Sequence, residues 1–296
     1  MRRSRTTQAF LLLLAPAQAF AWGEAGHSIV SEIAQHRLTG HAFVTVQKLL
    51  KSELDPAPAG PVSLASIASW ADDYRSSHTE TTNWHFVDIP IDVKGIDPKD
   101  VRYDAARDCP PETSSSGTCL IKAVATQLAI LSVPADFNNP ADVAKHAMAL
   151  KFIVHLYGDM AQPLHCAERE GDGGGNGLQV FYSGPKQNSV ETRTNFHKVW
   201  DSLIIGDVQW NWNAYVHDLE QKWLKGKDET KLASGSVIDW VNQCHLKAVE
   251  AYGLVSRDLT LGQQQLSQEK AIADEQLATA GVRLSKALNE AFSAYP

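Results

Sequence analysis

The chain has 296 residues, 44% of them hydrophobic, and a formal net charge of −7. That length fits one large domain with a sizeable core, and the acidity excludes a broad basic face able to hold a polyanion. If the chain binds phosphates, bound metal has to supply the positive charge locally.

In chain order, the first features are Arg2, Arg3 and Arg5, a short apolar run over residues 10–15, and Ala19, Phe20 and Ala21 in a small-x-small pattern. This predicts a secretory signal peptide over residues 1–21, cut before Trp22, with an apolar run too short to span a bilayer. Losing its three cations takes the net charge from −7 to −10. The expected destination is the periplasm or the medium, with no membrane anchor, and residues 22–296 are expected to form one domain.

Ile29, Ile33, Ala34 and Leu38 at helical spacing predict a helix from Trp22, and residues 41–54 a second, stopped by Pro56. Ser63 is placed to cap a third, running to Arg75. Residues 85–91 have brief β character, and 93–116 are polar and irregular. There Cys109 and Cys119 bracket a loop of turn residues and are expected to pair, with about 2–3 kcal/mol of loop entropy. Cys166 and Cys244 either pair or stay free. Further helices are predicted over residues 120–131, 142–158, 194–205, 213–224, 237–255 and 263–292, with a glycine loop at 170–177 and one short strand at 179–182. No internal repeat and no N-x-S/T sequon occurs.

The chemistry concentrates in KFIVHLYGDMAQPLH, residues 151–165. His155 and Asp159, four apart, share a helical face, and His165 follows just past Pro163, where a helix should break. One H-x3-D alone is more readily a core histidine beside a carboxylate. A second, His197 and Asp201, lies on another predicted helix among Phe196, Val199, Trp200 and Leu203. Two such pairs in one exported chain point to metal, and His/carboxylate sites with several metals suit Zn²⁺ best. Three weaker signals join them. His27 lies five residues after Trp22, whose freed amine and carbonyl can chelate. Asp72 and Asp73 sit at a helix end, where a solvated pair is the commoner reading. His85 lies in an apolar stretch. His36, His41, His78, His146, His217 and His245 have no comparable partners and are assigned to surface or core.

Through WGEAGH, SIASWADDYR, HFVD, HLYGDMAQPLH, the GGN at Gly174 to Asn176, and HKVWD, the chain resembles the zinc-dependent single-strand-specific nucleases, the type I nucleases of moulds and plants. The resemblance spans Trp22 to about Phe292. It implies an all-α single-domain helical bundle around a cleft holding three Zn²⁺. One zinc would take Asp72, His85, His155 and Asp159. A second would take the amine and carbonyl of Trp22, His27 and a bridging Asp159. The third would take His165, His197 and Asp201. Phe86 would stack on a base, Asp88 would bond its edge, Arg75 would lie near the phosphate and Asn176 would line the cleft. Asp72 would also orient the attacking hydroxide, and Arg75 would support the developing charge.

The implied activity is endonucleolytic hydrolysis of single-stranded DNA and RNA at the P–O3′ bond, giving 5′-phosphorylated products, with removal of phosphate from 3′-nucleotides, by a monomer. A stacked aromatic accepts any unpaired base, which selects single strands without a sequence code. The chain departs from the family pattern in a longer loop between His165 and Gly174, in Gly173 where an aliphatic residue is expected, in the missing first cysteine of a second family disulfide, and in Cys166 beside His165. Two rival readings are a zinc-dependent phospholipase C and a non-catalytic zinc-binding secreted protein. The first uses Glu at the position of Asp201 and lacks the HFVD and SWADDYR context. The second needs neither the Phe86/Asp88 pair nor an open metal position.

Overall fold

The apolar stripe after Trp22 forms helix α1, Gly23–Gln35, and buries Ile29, Val30, Ile33 and Ala34. The structure, a computed structural model, describes residues 22–54, 56–111, 113–184, 191–208 and 211–296; the expected signal peptide lies outside the described residues. Helix α2, Gly40–Lys51, starts where the Thr39 hydroxyl accepts from the Ala42 N–H, an N-cap that satisfies an otherwise orphaned donor.

The single helix expected over 63–75 is split. A 3₁₀ turn, Leu64–Ile67, is capped by Ser63 as expected, and helix α3, Trp70–Arg75, follows. The split has a physical reason. The Asp72 N–H bonds the Ser69 carbonyl at 3.1 Å instead of reaching back to Ala68, so the Ala68 carbonyl is free to accept from His155 Nδ1 at 2.7 Å.

A longer 3₁₀ helix spans Thr79–His85. The β character expected after it is limited to an isolated parallel bridge, Pro90 with Glu168. Helix α4, Ala105–Asp108, is one turn in the irregular region, and α5, Leu120–Leu131, matches its predicted bounds. Helix α6, Pro140–Asp159, starts two residues early because the Asn139 side chain caps it and Pro140 fits its first turn. A 3₁₀ turn, Pro163–Cys166, follows at the expected stop.

The strand expected at 179–182 belongs to a three-stranded sheet. Strand β1, Gln179–Tyr182, pairs antiparallel with β2, Thr192–Asn195, and parallel with β3, Thr260–Leu261, in the order β2-β1-β3. The helix expected from Thr194 therefore starts at Phe196. It runs as α7, Phe196–Lys198, a π-helical turn, Val199–Leu203, and α8, Ile204–Val208. Helices α9, Trp212–Asp218, α10, Glu229–Leu232, α11, Val237–Leu254, and the 29-residue α12, Gln263–Ala291, complete the bundle. Helix α12 packs on α1, α6 and α11, and no helix among the described residues is long and apolar enough to cross a membrane.

Cys109 and Cys119 are disulfide-bonded as expected. The question left open by the sequence is answered by a second bond, Cys166–Cys244, across 78 residues. It ties the Pro163–Cys166 turn to α11, and a loop of that size is worth about 4 kcal/mol in the chain-entropy view.

Candidate metal centre

Helix α1 brings His27, α3 brings Asp72, and the Thr79–His85 turn ends on His85. Helix α6 brings His155 and Asp159, the next turn His165, α7 His197, and the π turn Asp201. These five histidines and three aspartates come from far-apart parts of the chain, yet each is at most 4% exposed. Their approach depends on Gly158, where a Cβ would stand 2.5 Å from His27 Nδ1; any larger residue would push the His27 imidazole out of place.

The side chains form three groups able to hold a metal ion: His27, His155 and Asp159; Asp72, His85 and His155; His165, His197 and Asp201. Asp159 is the hinge between them. Its Oδ2 lies 2.9 Å from His85 Nδ1 and 3.1 Å from His155 Nε2. Its Oδ1 faces His27 Nε2 at 3.4 Å and His165 Nδ1 at 3.7 Å. Asp72 Oδ1 is 3.3 Å from the Arg75 guanidinium and 3.7 Å from His155 Nε2. His197 Nε2 is 3.3 Å from Asp201 Oδ2, so the H-x3-D contact survives the π turn, a distortion often found at functional sites. Asp73 is exposed and belongs to no group.

Backbone carbonyls set the tautomers. His155 Nδ1 donates to Ala68, His165 Nδ1 to the His85 carbonyl and His197 Nδ1 to Gly174, each at 2.7 Å. For His165 and His197 this leaves the Nε2 lone pair free, the usual orientation of a metal-binding histidine by its outer shell, while His155 Nε2 faces Asp159. Gly174 can present its carbonyl this way because it has φ +62° and sits so close to Leu164 that a Cβ would lie 2.3 Å from that carbonyl oxygen.

The polar atoms themselves test whether a metal fits. Both ring nitrogens of His27, Asp72 Oδ1, His85 Nε2, Asp159 Oδ1 and His197 Nε2 are buried without a hydrogen-bond partner. The His27–Asp159 approach is an ion-pair distance outside hydrogen-bonding geometry, so it does not satisfy either atom. Buried polar groups are otherwise nearly always paired. His85 Nδ1 and His155 Nε2 also stand 3.1 Å apart, two lone-pair atoms that need a cation or a proton between them. The donor set, imidazole with carboxylate, is the one divalent zinc accepts, and the residues fit it.

The electrostatics agree. Burial pulls His27 and His85 down, His165 down to about 3 and His197 down to about 4. Those four rings are neutral, as ligation requires. His155 is the exception: burial lowers it, but the charges of Asp159 and Asp72 outweigh that and raise it. Asp159 answers in kind. Burial would raise it, and His155 holds it well below the usual carboxylate range. Burial drives Asp201 up, and the hydrogen bond from Gln162 and the charge of Arg75 do not offset it.

A cavity of about 320 Å³ opens beside the groups, walled by Arg75, Phe86, Asp88, His165, Asn176 and His197 among others. All four residues expected to meet substrate are thus on one cleft. Asn176 donates its amide to the Gly173 carbonyl at 2.8 Å. Asp88 is exposed as a residue, but the cleft walls crowd it, and that partial burial, then Glu168, Asp108 and Asp172, pushes it up to about 7. The longer loop after His165 is pinned to α11 where Tyr252 donates to Asp172 at 2.8 Å. Trp22 is fully buried, edge-on to Trp200 with ring centres 6.2 Å apart, and its carbonyl accepts the first α1 bond from Gly26.

Sequence reasoning missed Gln162. Its Nε2 donates to Asp201 Oδ1 at 2.8 Å and its Oε1 accepts from the Leu164 N–H at 2.6 Å. Its position between Asp159 and His165 was the only signal available.

A family model described as S1/P1 nuclease matches residues 22–293. The chain is 29% identical to Endonuclease 3 of Arabidopsis thaliana, over 93% of this chain and 90% of that protein. It is 35% identical to Nuclease P1 of Penicillium citrinum, over 62% of this chain and 58% of that one. To Nuclease S1 of Aspergillus oryzae it is 30% identical, over 79% and 72%.

Proposed function

The chain belongs to the S1/P1 nuclease family, and from that premise we propose that it is a zinc-dependent endonuclease that hydrolyses single-stranded DNA and RNA to 5′-phosphorylated products and removes phosphate from 3′-nucleotides. The observation that carries this reading is the juxtaposition of eight buried His and Asp side chains, several with unsatisfied atoms, and a cleft walled by Arg75, Phe86 and Asp88.

Three Zn²⁺ are assigned: to Asp72, His85, His155 and Asp159; to His27, Asp159 and the backbone amine and carbonyl of Trp22 once residues 1–21 are removed; and to His165, His197 and Asp201. When bound, Zn²⁺ supplies Lewis acidity and brings a water's pKa to about 7. The protein's own residues do the rest. Phe86 stacks on a base that has left its helix, and duplexes cannot offer one without unpairing. Asp88 bonds the base edge, and Asn176 closes the cleft beside it. Asp72, held by Arg75, orients the attacking oxygen, while Arg75 neutralises charge gathering on the phosphate as the P–O3′ bond breaks. Two disulfides fit an oxidising compartment, the periplasm or the medium.

The test uses the mature protein from Trp22, a labelled single-stranded oligonucleotide, a chelator with zinc rescue, and a count of bound zinc. The expected result is about three zincs per chain and chelator-sensitive cleavage leaving 5′-phosphates. Zinc bound with the oligonucleotide intact would refute the assignment of substrate, and phospholipids would be tried next.

A further inference from the structure

An acidic nuclease must hold a polyanion with few cations. In the cleft beside the metal groups, among the described residues, Arg75 is the one Lys or Arg in the wall, which it shares with Asp88, and it is paired with Asp72. Neutral donors have to carry the remaining strand contacts, and the 3₁₀ helix Thr79–His85 is built to supply them.

A 3₁₀ helix has three residues per turn, so positions i and i+3 eclipse. Thr79, Thr82 and His85 therefore share one face. Thr82 stands about 6 Å, and Thr79 about 12 Å, along the axis from His85. Both threonines line the cleft, and among the described residues neither hydroxyl has a protein partner. Thr81, on another face, is buried and donates to the His78 carbonyl at 2.8 Å. Two uncommitted hydroxyls thus lead in single file from the cleft mouth to a histidine of the metal groups.

We propose that Thr79 and Thr82 form a hydroxyl track that binds the sugar-phosphate of the nucleotide next to the one held at the metal groups. The proposal rests on the single-strand nuclease reading. A threonine hydroxyl donates to a phosphate oxygen, or exchanges hydrogen bonds with a ribose 2′-OH, and adds no charge. A 3′-mononucleotide at the metal groups meets at most the Thr82 end of the track; a longer strand lies along both hydroxyls. Binding through neutral donors also releases few counterions, so strand affinity falls only gently with salt.

The experiment measures kcat and KM for a single-stranded hexanucleotide and for a 3′-mononucleotide, with the wild type, the Thr79→Val/Thr82→Val double variant, and the Thr79→Ser/Thr82→Ser double variant. Valine matches threonine in shape, and both positions are at least partly solvent-exposed. The expected result is that valine raises the ratio of hexanucleotide KM to mononucleotide KM about tenfold, with hexanucleotide kcat within about twofold. Serine keeps the hydroxyls and restores the wild-type ratio. An unchanged ratio in the valine variant, or an equal rise in the serine variant, overturns the track while leaving the nuclease reading intact. A wild type that cleaves neither substrate overturns both.

Discussion

Gln162 is held at both ends of its amide, donating to Asp201 Oδ1 and accepting from the Leu164 N–H. Rotation would lose both bonds, so the amide keeps Asp201 Oδ2 turned toward His197. Gln162→Leu removes that hold in a fully buried position. Outer-shell losses of this kind cost roughly tenfold to a hundredfold in metal affinity, so the variant should lose on dialysis the metal proposed at His165, His197 and Asp201; full retention would show that Asp201 needs no such support. Asp88 invites a pH test. Partial burial, then Glu168, Asp108 and Asp172, sets it at about 7. Below that it carries a proton and offers a donor and an acceptor, which match adenine's Watson–Crick edge; above it the carboxylate only accepts, which matches guanine's two donors. The guanine-to-adenine ratio of kcat/KM should therefore rise severalfold as pH passes upward through about 7, and Asp88→Asn should flatten the profile. A ratio independent of pH in the wild type would remove Asp88 from base recognition.

Among the elements, α12 contains a group that works against the fold. Glu269 is fully buried, and neither of its oxygens has a hydrogen-bond partner. Burial alone raises its pKa well above normal. The folded chain thus keeps a proton that the unfolded chain releases near pH 4, and the sign follows: stability is greatest below that pH and falls as pH rises toward the folded value. Glu269→Leu should abolish the penalty, raising stability by on the order of 1–3 kcal/mol at pH 8 and by less at pH 5; equal melting shifts at both pH values would contradict it. The same scale shows what sequence could reveal. Helix α5 was legible to both ends because its periodicity is local. The split at 63–75 was not, because it goes with a bond that His155 Nδ1, far along the chain, donates to the Ala68 carbonyl. Strand β2 was hidden because four residues of edge strand carry almost no pattern, and its partner β1 lies across a connection of nine residues. The H-x3-D pairs were legible because the helical period puts both ligands on one face. Gln162 was not, because its role exists only where the chain brings Asp201 back to it.

For the molecule as a whole, the centre is the meeting point of α1, α3, α6, α7, the π turn and two 3₁₀ segments, and most of its polar atoms have little to bond but one another. Holding eight buried ionisable groups together without metal is costly, so metal affinity should appear as folding stability. Free zinc at a hundred times its Kd would contribute about 2.7 kcal/mol per site, so chelation should lower the Tm by about 5–10 °C for each site emptied. For His165 and His197 the pH dependence has a definite sign, opposite to that of the raised groups Asp201 and Glu269. Burial lowers His165 to about 3 and His197 to about 4, below the unfolded value near 6.5. Each contributes its full stability above pH 6.5 and loses it as pH falls through the window down to 3–4, because the unfolded chain takes up protons that the folded one refuses. Protons also compete with zinc for the same nitrogens. The chelated protein should therefore melt lower than the zinc form at pH 7.5, and added zinc should restore the chelated form at pH 7.5 far more than at pH 5. Melting scans in those four conditions decide it: a Tm indifferent to chelator and zinc would mean that the protein closes this centre without metal, and the unsatisfied atoms would then need another partner.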